Sequence, residues 1–290
     1  MPLMRLAKAA QWRKEACLSR QARPKDAQFF ILFARKPAAM AKGRRPQRNK
    51  SGQPSQQPRF WGRHAVAAAL DNPERRVRKI WATRETAAVF EIPSDIPVNF
   101  CDAGDMGRMV PGDAPHQGIV AEVDPLEHML LAELLDQNAD NQRPLIVLDQ
   151  VTDPHNIGAI LRSAAAFDAI GIVTQDRHSP AESGTIARAA AGALEIVPWV
   201  RVVNLARALE EIEDAGFWRI GLDGEAERTL AETIGTSRVC LVLGAEGEGM
   251  RRNTIEHCDI IAKLPINEAM ESLNVSNAAA IALYAVATAK

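Results

Sequence analysis

At 290 residues, with 47% hydrophobic and 24% charged side chains, the chain has the composition of a soluble globular protein with one large core or two modest ones, which excludes collagen-like and low-complexity classes. Aromatic residues make up only 5% and Tyr284 is the single tyrosine, which argues against a broad stacking platform for single-stranded nucleic acid. The net charge of −1 conceals an asymmetry: residues 1–59 hold 15 Lys and Arg against Glu15 and Asp26, and the rest holds 20 basic and 34 acidic residues. A basic arm on an acidic body points to a polyanionic partner reached through the arm.

Residues 1–58 are expected to form a basic disordered leader: 1–39 are weakly patterned and basic, and the tail from Met40 to about Pro58, rich in Arg, Gln, Pro and Ser, is too polar to bury a core. Met40 opens a stretch that reads as a natural amino terminus, so the segment before it is expected to be an upstream extension or leader, with an organellar transit peptide as the alternative. Four scattered cysteines without a CxxC pair fit free thiols in a reducing cytoplasm. No apolar run reaches the ~20 residues of a membrane span. The six histidines form no metal-ligand spacing, so no metal is expected.

From Arg59 to about Pro125 the pattern is compact α/β. GRHAVAAALDN reads as a short helix, Val77–Ala82 and Val98–Cys101 as strands, and HQGIVAEV as an alternating strand. Residues 126–142 carry helical spacing and then a polar loop, the signature of a linker. From Arg143 onward short apolar runs alternate with helical segments. PLIVLD, IGIVTQ, FWRIGLDG, RVCLVLGAEG and DIIAKLPI are strands; NIGAILRSAAAF, SGTIARAAAGAL, VNLARALEEIEDAG and the final apolar run are helices. This alternation predicts an α/β fold with a parallel sheet covered on both faces.

Ligands of such sheets bind beyond the carboxyl ends of the strands, and three segments bring polar or glycine-rich residues there. In LDQVTDPHNIGAILRS, Asn156 stands where it can cap a helix that carries Gly158 and Arg162. In LVLGAEGEGM, Gly244, Gly247 and Gly249 interleave with Glu246 and Glu248. That spacing is not GxGxxG, and the two acids suit a neutral or cationic ligand or ribose hydroxyls rather than a pyrophosphate. In KLPINEAMESLNVSNA, Ser272, Asn274, Ser276 and Asn277 offer four caps for one helix, a surplus available to a ligand. His155 and His116 read as contact or packing residues, and Cys240 and Cys258 as buried and inert.

Together these segments resemble the three ordered motifs of the SpoU/TrmH family, in the SPOUT superfamily of RNA 2′-O-methyltransferases. HAVAAAL and HQGIVAEV further resemble the small RNA-binding domain of the bacterial enzymes that methylate a guanosine of 23S rRNA, a domain that resembles a large-subunit ribosomal protein. The resemblance covers about residues 60–289. It implies an RNA substrate-binding domain at 59–125, a linker at 126–142, and a SPOUT methyltransferase domain with a deep trefoil knot at 143–290. It also implies S-adenosylmethionine as methyl donor, held by backbone around Gly244, Leu264, Ile266 and Leu273, and a homodimer. The matching catalytic set is Asn156, Arg162, Glu246, Ser272 and Asn274, with Arg162 as base or as electrostatic stabiliser. Glu268 and Glu271 depart from the less acidic loop of relatives. A transfer RNA substrate, a non-catalytic ribosomal RNA-binding assembly factor and a nucleotide-dependent oxidoreductase are the alternatives, the last disfavoured by the missing GxGxxG.

Overall fold

A computed structural model describes residues 57–289 apart from 113, 236, 237 and 268. The expected leader therefore lies, but for its last two residues, outside the described residues, as does Glu268.

In chain order the first elements are strand β1 (Arg59–Trp61), helix α1 (Arg63–Asp71), β2 (Val77–Ala82), α2 (Arg84–Ala87), β3 (Val98–Phe100), α3 (Ala103–Gly107), β4 (Ile119–Val123) and α4 (Leu131–Gln137). The strands form a four-stranded mixed sheet of order β1-β4-β2-β3, with β4 antiparallel to β1 and β2, and β3 parallel to β2. Strand β4 was expected to alternate between buried and exposed positions, yet Ile119, Val120 and Ala121 are all buried. Both of its faces are covered: Ile119 and Ala121 join the main core, while Val120 packs with Trp61, Met106 and Val110.

The second group comprises β5 (Leu145–Leu148), α5 (Pro154–Ala166), β6 (Gly171–Gln175), α6 (Gly184–Ala190), β7 (Trp199–Val202), α7 (Leu205–Asp214), β8 (Phe217–Leu222), β9 (Arg228–Thr229), α8 (Leu230–Thr233), β10 (Arg238–Leu243), α9 (Arg252–Ile255), β11 (Ile260–Lys263) and α10 (Val275–Thr288). Its seven strands form a parallel sheet of order β7-β6-β5-β10-β8-β11-β9. Central strands β5 and β10 are buried at every position, as a parallel sheet covered on both faces requires. On one face lie Ile157, Ile160, Leu161, Ala279 and Leu283 of α5 and α10; on the other, Leu134, Leu205, Leu209 and Ile212 of α4 and α7. Each fully buried aliphatic side chain contributes ~1.5–3 kcal/mol to this core.

Chain order and sheet order diverge at the centre, where β10 sits between β5 and β8. Helices α5 and α6 cross at Gly158, where a Cβ would stand 2.4 Å from that of Ala189 and 2.8 Å from the Ile186 carbonyl oxygen. Only glycine permits that approach.

Candidate active site

Strands β8, β10 and β11 end side by side, and the turns that follow them enclose a cavity of about 400 Å³. Its walls come from Leu222–Glu225 after β8, Leu243–Gly249 after β10, Leu264 and Ile266 after β11, and Glu271–Leu273 with Val275 at the start of α10. All four residues expected to hold the donor (Gly244, Leu264, Ile266 and Leu273) line it, as do Glu246 and Ser272. Residues Asp223, Gly224 and Glu225 were not foreseen. They follow a plain strand with no glycine-rich signature, and only the topology brings them here.

The turn after β10 has a definite construction. Ala245 and Gly249 exchange both backbone hydrogen bonds, at 3.1 and 3.0 Å, and Gly247 and Gly249 occupy the left-handed region at φ 81° and 67°. Gly244 is required for a different reason: a Cβ there would meet the Gly249 carbonyl carbon at 2.0 Å and the Met250 nitrogen at 2.2 Å. Its role is close approach of backbone to backbone, which keeps the cavity wall thin.

Beside the cavity three polar side chains from distant parts of the chain converge. Asn156 Nδ2 donates to Glu246 Oε1 at 2.9 Å, and Asn274 Nδ2 donates to Asn156 Oδ1 at 3.0 Å and also to Glu246 Oε1. The other end of the Asn274 amide caps α10, accepting from the backbone N–H of Ser276 at 2.9 Å and of Asn277 at 3.3 Å, while Ser276 Oγ donates to the same oxygen. The polar surplus before α10 is thereby resolved. Asn274 both caps the helix and joins the cluster, Ser276 reinforces the cap, and Ser272 faces the cavity. One oxygen of Glu246 is held by two amides. The other has no partner among the described residues.

One expectation changes here. Asn156 does not cap α5; Asp153 does, accepting from the His155 backbone N–H at 3.0 Å with Pro154 in the first turn. Asn156 is instead buried inside the helix, 6% exposed, and its amide is spent on Glu246 and Asn274. Arg162 lies two turns further along α5, exposed and with no hydrogen bond or ion pair among the described residues. Six residues rotate a helix by roughly 600°, so Arg162 projects about 120° away from Asn156 and outside the three-residue cluster.

A further pair escaped the sequence reading. Asp149, fully buried at the end of β5, accepts from the Arg251 backbone N–H at 2.9 Å and from its Nε at 2.8 Å. This fastens the exit of the β10 turn to β5. Cys240 is buried as expected, while Cys258 is half-buried; burial pushes the Cys240 thiol well above its ordinary value and that of Cys258 up to about 12. His116 accepts from the Gly118 backbone N–H through Nδ1, a turn contact.

Comparison with known proteins places this arrangement. Residues 143–284 match the SpoU rRNA methylase family, and residues 60–129 match the RNA 2′-O ribose methyltransferase substrate-binding family. A relative from Pseudomonas putida, named 23S rRNA (guanosine-2'-O-)-methyltransferase RlmB, is 38% identical over 240 residues, covering 79% of this chain and 96% of its own. The chain belongs to the SpoU rRNA methylase family. A second SpoU relative of the same name, from Ralstonia nicotianae, is 41% identical over 238 residues, covering 77% of this chain and 92% of its own. Among solved structures, the fold is shared with an AdoMet-bound rRNA methyltransferase from Sinorhizobium meliloti (TM-score 0.67, 21% identity, 80% of this chain and 87% of that one). It is shared equally with the SpoU methyltransferase AviRb from Streptomyces viridochromogenes (TM-score 0.66, 21% identity, 80% and 89%).

Proposed function

We propose that this protein transfers a methyl group from S-adenosylmethionine to the ribose 2′-hydroxyl of a guanosine in 23S rRNA. The observation that carries the reading is the Asn156–Glu246–Asn274 cluster standing at the wall of a cavity built from three strand ends. Family membership and relatives named for that reaction support it.

The cavity fits the donor in volume and chemistry. Leu222, Leu243, Leu264, Ile266 and Leu273 offer apolar surface for an adenine, and the polar lining is acidic, with no Lys, Arg or His. Backbone at Gly244, Leu264, Ile266 and Leu273 would hold the donor, with the turn after β8 as a further wall. When bound, it supplies a methyl carbon already activated by positive sulfur, so the protein's task is chiefly positioning. Glu246, fixed through one oxygen, presents the other to the ribose hydroxyl. Asn156 and Asn274 fix that orientation, and Ser272 contacts the target nucleotide from the cavity rim. Arg162, exposed and unengaged, orients the phosphate or stabilises the developing alkoxide. A guanidinium, which offers donors and no acceptor, suits these roles better than that of base.

The wider architecture follows the same reading. Residues 143–290 form the methyltransferase domain, its strand-end turns threaded as a deep trefoil knot; the insertion of β10 between β5 and β8 supports such a threading. Residues 59–125 form the RNA-binding domain, resembling a large-subunit ribosomal protein, and 126–142 the linker. Arg59 and Lys79 lie over the Trp81 ring at 5.3 and 5.0 Å, and Arg84 lies over the exposed ring of Phe100 at 5.0 Å. These are cation–aromatic pairs of the kind RNA bases and phosphates engage. The enzyme acts as a homodimer in the cytoplasm, without a metal. Exposed Ile281 and Tyr284, one turn apart on α10, offer an apolar stripe for a second copy. Among the described residues no helix is long and apolar enough to cross a membrane.

The test is methyl transfer from isotopically labelled S-adenosylmethionine to 23S rRNA and to transfer RNA, followed by mapping of the 2′-O-methyl position. Incorporation at one guanosine of 23S rRNA is expected; label in transfer RNA alone would overturn the substrate assignment. Arg162→Ala should abolish transfer while leaving the melting temperature within a few degrees of the parent. Near-normal turnover would remove Arg162 from the mechanism.

A further inference from the structure

The sheltered carboxylates of this protein follow a rule with one exception. Among the described residues, every buried or half-buried Asp or Glu but one has an arginine within 4 Å: Asp105, Glu122, Asp124, Asp149, Glu182, Glu195, Glu211 and Asp259. The exception is Asp223, half-buried at the end of β8. Its Oδ1 accepts the Glu225 backbone N–H at 2.9 Å, and no cation stands opposite it. Asp223 lines the cavity, as do Glu225, Glu248 and Glu271, and none of these has a cationic partner among the described residues. A half-buried carboxylate normally acquires a counter-charge because its desolvation is otherwise uncompensated.

We propose that Asp223 is a specificity-determining residue whose unpaired charge makes the cavity prefer the cationic methyl donor over its neutral demethylated product, and so favours product release. The inference rests on the cavity being the S-adenosylmethionine site. At neutral pH the donor carries a sulfonium, an ammonium and a carboxylate, for a net charge of +1. After transfer the electron pair of the broken S–CH3 bond stays on sulfur, the methyl is bonded to the ribose oxygen, and the hydroxyl proton has passed to the free oxygen of Glu246 and on to solvent. The thioether product, S-adenosylhomocysteine, therefore has a net charge of zero with an almost unchanged shape. Apolar walls and backbone hydrogen bonds would hold the two molecules alike, so discrimination falls to charge. Asp223 is the sheltered member of the acidic lining and is the least screened by solvent.

The experiment is calorimetric titration of the full-length protein with S-adenosylmethionine and, separately, with S-adenosylhomocysteine, at low and high ionic strength. The parent should bind the donor more tightly than the product, with a ratio that falls as salt rises. Asp223→Asn keeps the oxygen that accepts the Glu225 N–H. It should weaken donor binding by about three- to tenfold, the order expected for one partly screened unit charge, and product binding by less than about twofold. Retained product binding also certifies the fold of the variant. Asp223→Glu should restore the preference, and Glu225→Gln, at an exposed position, should shift the ratio the same way by less. Equal weakening of both ligands by Asp223→Asn, or a ratio insensitive to salt and substitution, would overturn the proposal while leaving the donor site intact. A parent protein that binds neither ligand would overturn the proposed function and this inference with it.

Discussion

Two clusters of acidic side chains in this protein are chemically alike and physically opposite. Near the start of the chain, fully buried Arg75 is clasped by Glu182 and Glu195, donates to the Asp124 carbonyl at 2.8 Å, and lies 5.0 Å from the Phe60 ring. Glu195 also receives Asn72, and Glu182 the Leu126 backbone N–H. At the strand ends, Asp223, Glu225, Glu248 and Glu271 line a cavity with no cation opposite them among the described residues. The first cluster has its valences filled from within and leaves nothing to offer a ligand; its role is to hold segments far apart in the sequence together. The second lines the cavity beside Glu246, whose carboxylate is held by neutral amides of Asn156 and Asn274 rather than by a cation. Saturation, not residue type, separates scaffold from site.

The sharpest way to break that contrast is at its saturated pole. Arg75→Met should destabilise the protein by about 3–5 kcal/mol, because it leaves two buried carboxylates without a counter-charge. Chemical denaturation measures this, and a loss below about 1 kcal/mol would show that the cluster is not structural. The loss should lessen as the pH falls. Burial raises the Glu182 carboxyl above its ordinary value even against the pull of Arg75, so protonation relieves the variant's burden.

The opposite pole is tested at Glu246, which lines the same cavity: Glu246→Gln preserves shape and one acceptor. Stability should move by less than about 0.5 kcal/mol, whereas turnover should fall about a hundredfold. A large stability loss with turnover preserved would reverse the assignment of the two clusters. The smallest expected effect concerns Asp259, which accepts from Arg219 Nε at 2.9 Å and Nη2 at 2.8 Å. These hydrogen bonds hold its carboxyl below the ordinary 3.8. The stabilisation is therefore fully present above pH 3.8 and is lost as the pH falls through the lowered folded value. Asp259→Asn should flatten that acid limb in pH-dependent melting; an unchanged limb would free Asp259 of the role.

Much of the parallel sheet was legible because short apolar runs bounded by turn residues leave little choice. Val77–Ala82 is a strand over the residues its pattern marked, and PLIVLD, IGIVTQ and RVCLVL became β5, β6 and β10. Strand β1 is only three residues long, and β7 runs straight out of Pro198 with Arg201 in its midst, so neither declared itself. The three polar members of the cluster were legible as motif residues, yet their mutual contacts were not, since Asn156 and Asn274 are 118 positions apart. Local grammar misled at Asn156: Asn is a good cap, but Asp153 followed by Pro154 is a better start, which pushed Asn156 inward. The Asp149–Arg251 pair, 102 positions apart, and Asp223 had no local signature at all.

The double duty of Asn274 has a temporal consequence. One amide group opens the last helix and latches the carboxylate of Glu246 to Asn156. During synthesis on the ribosome, Asn156 and Glu246 emerge well before their latch, and the latch is oriented only once α10 has wound. On the proposed mechanism the site is complete only when α10 has wound, so a change that frays α10 near residue 275 should lower methyl transfer without touching the substrate.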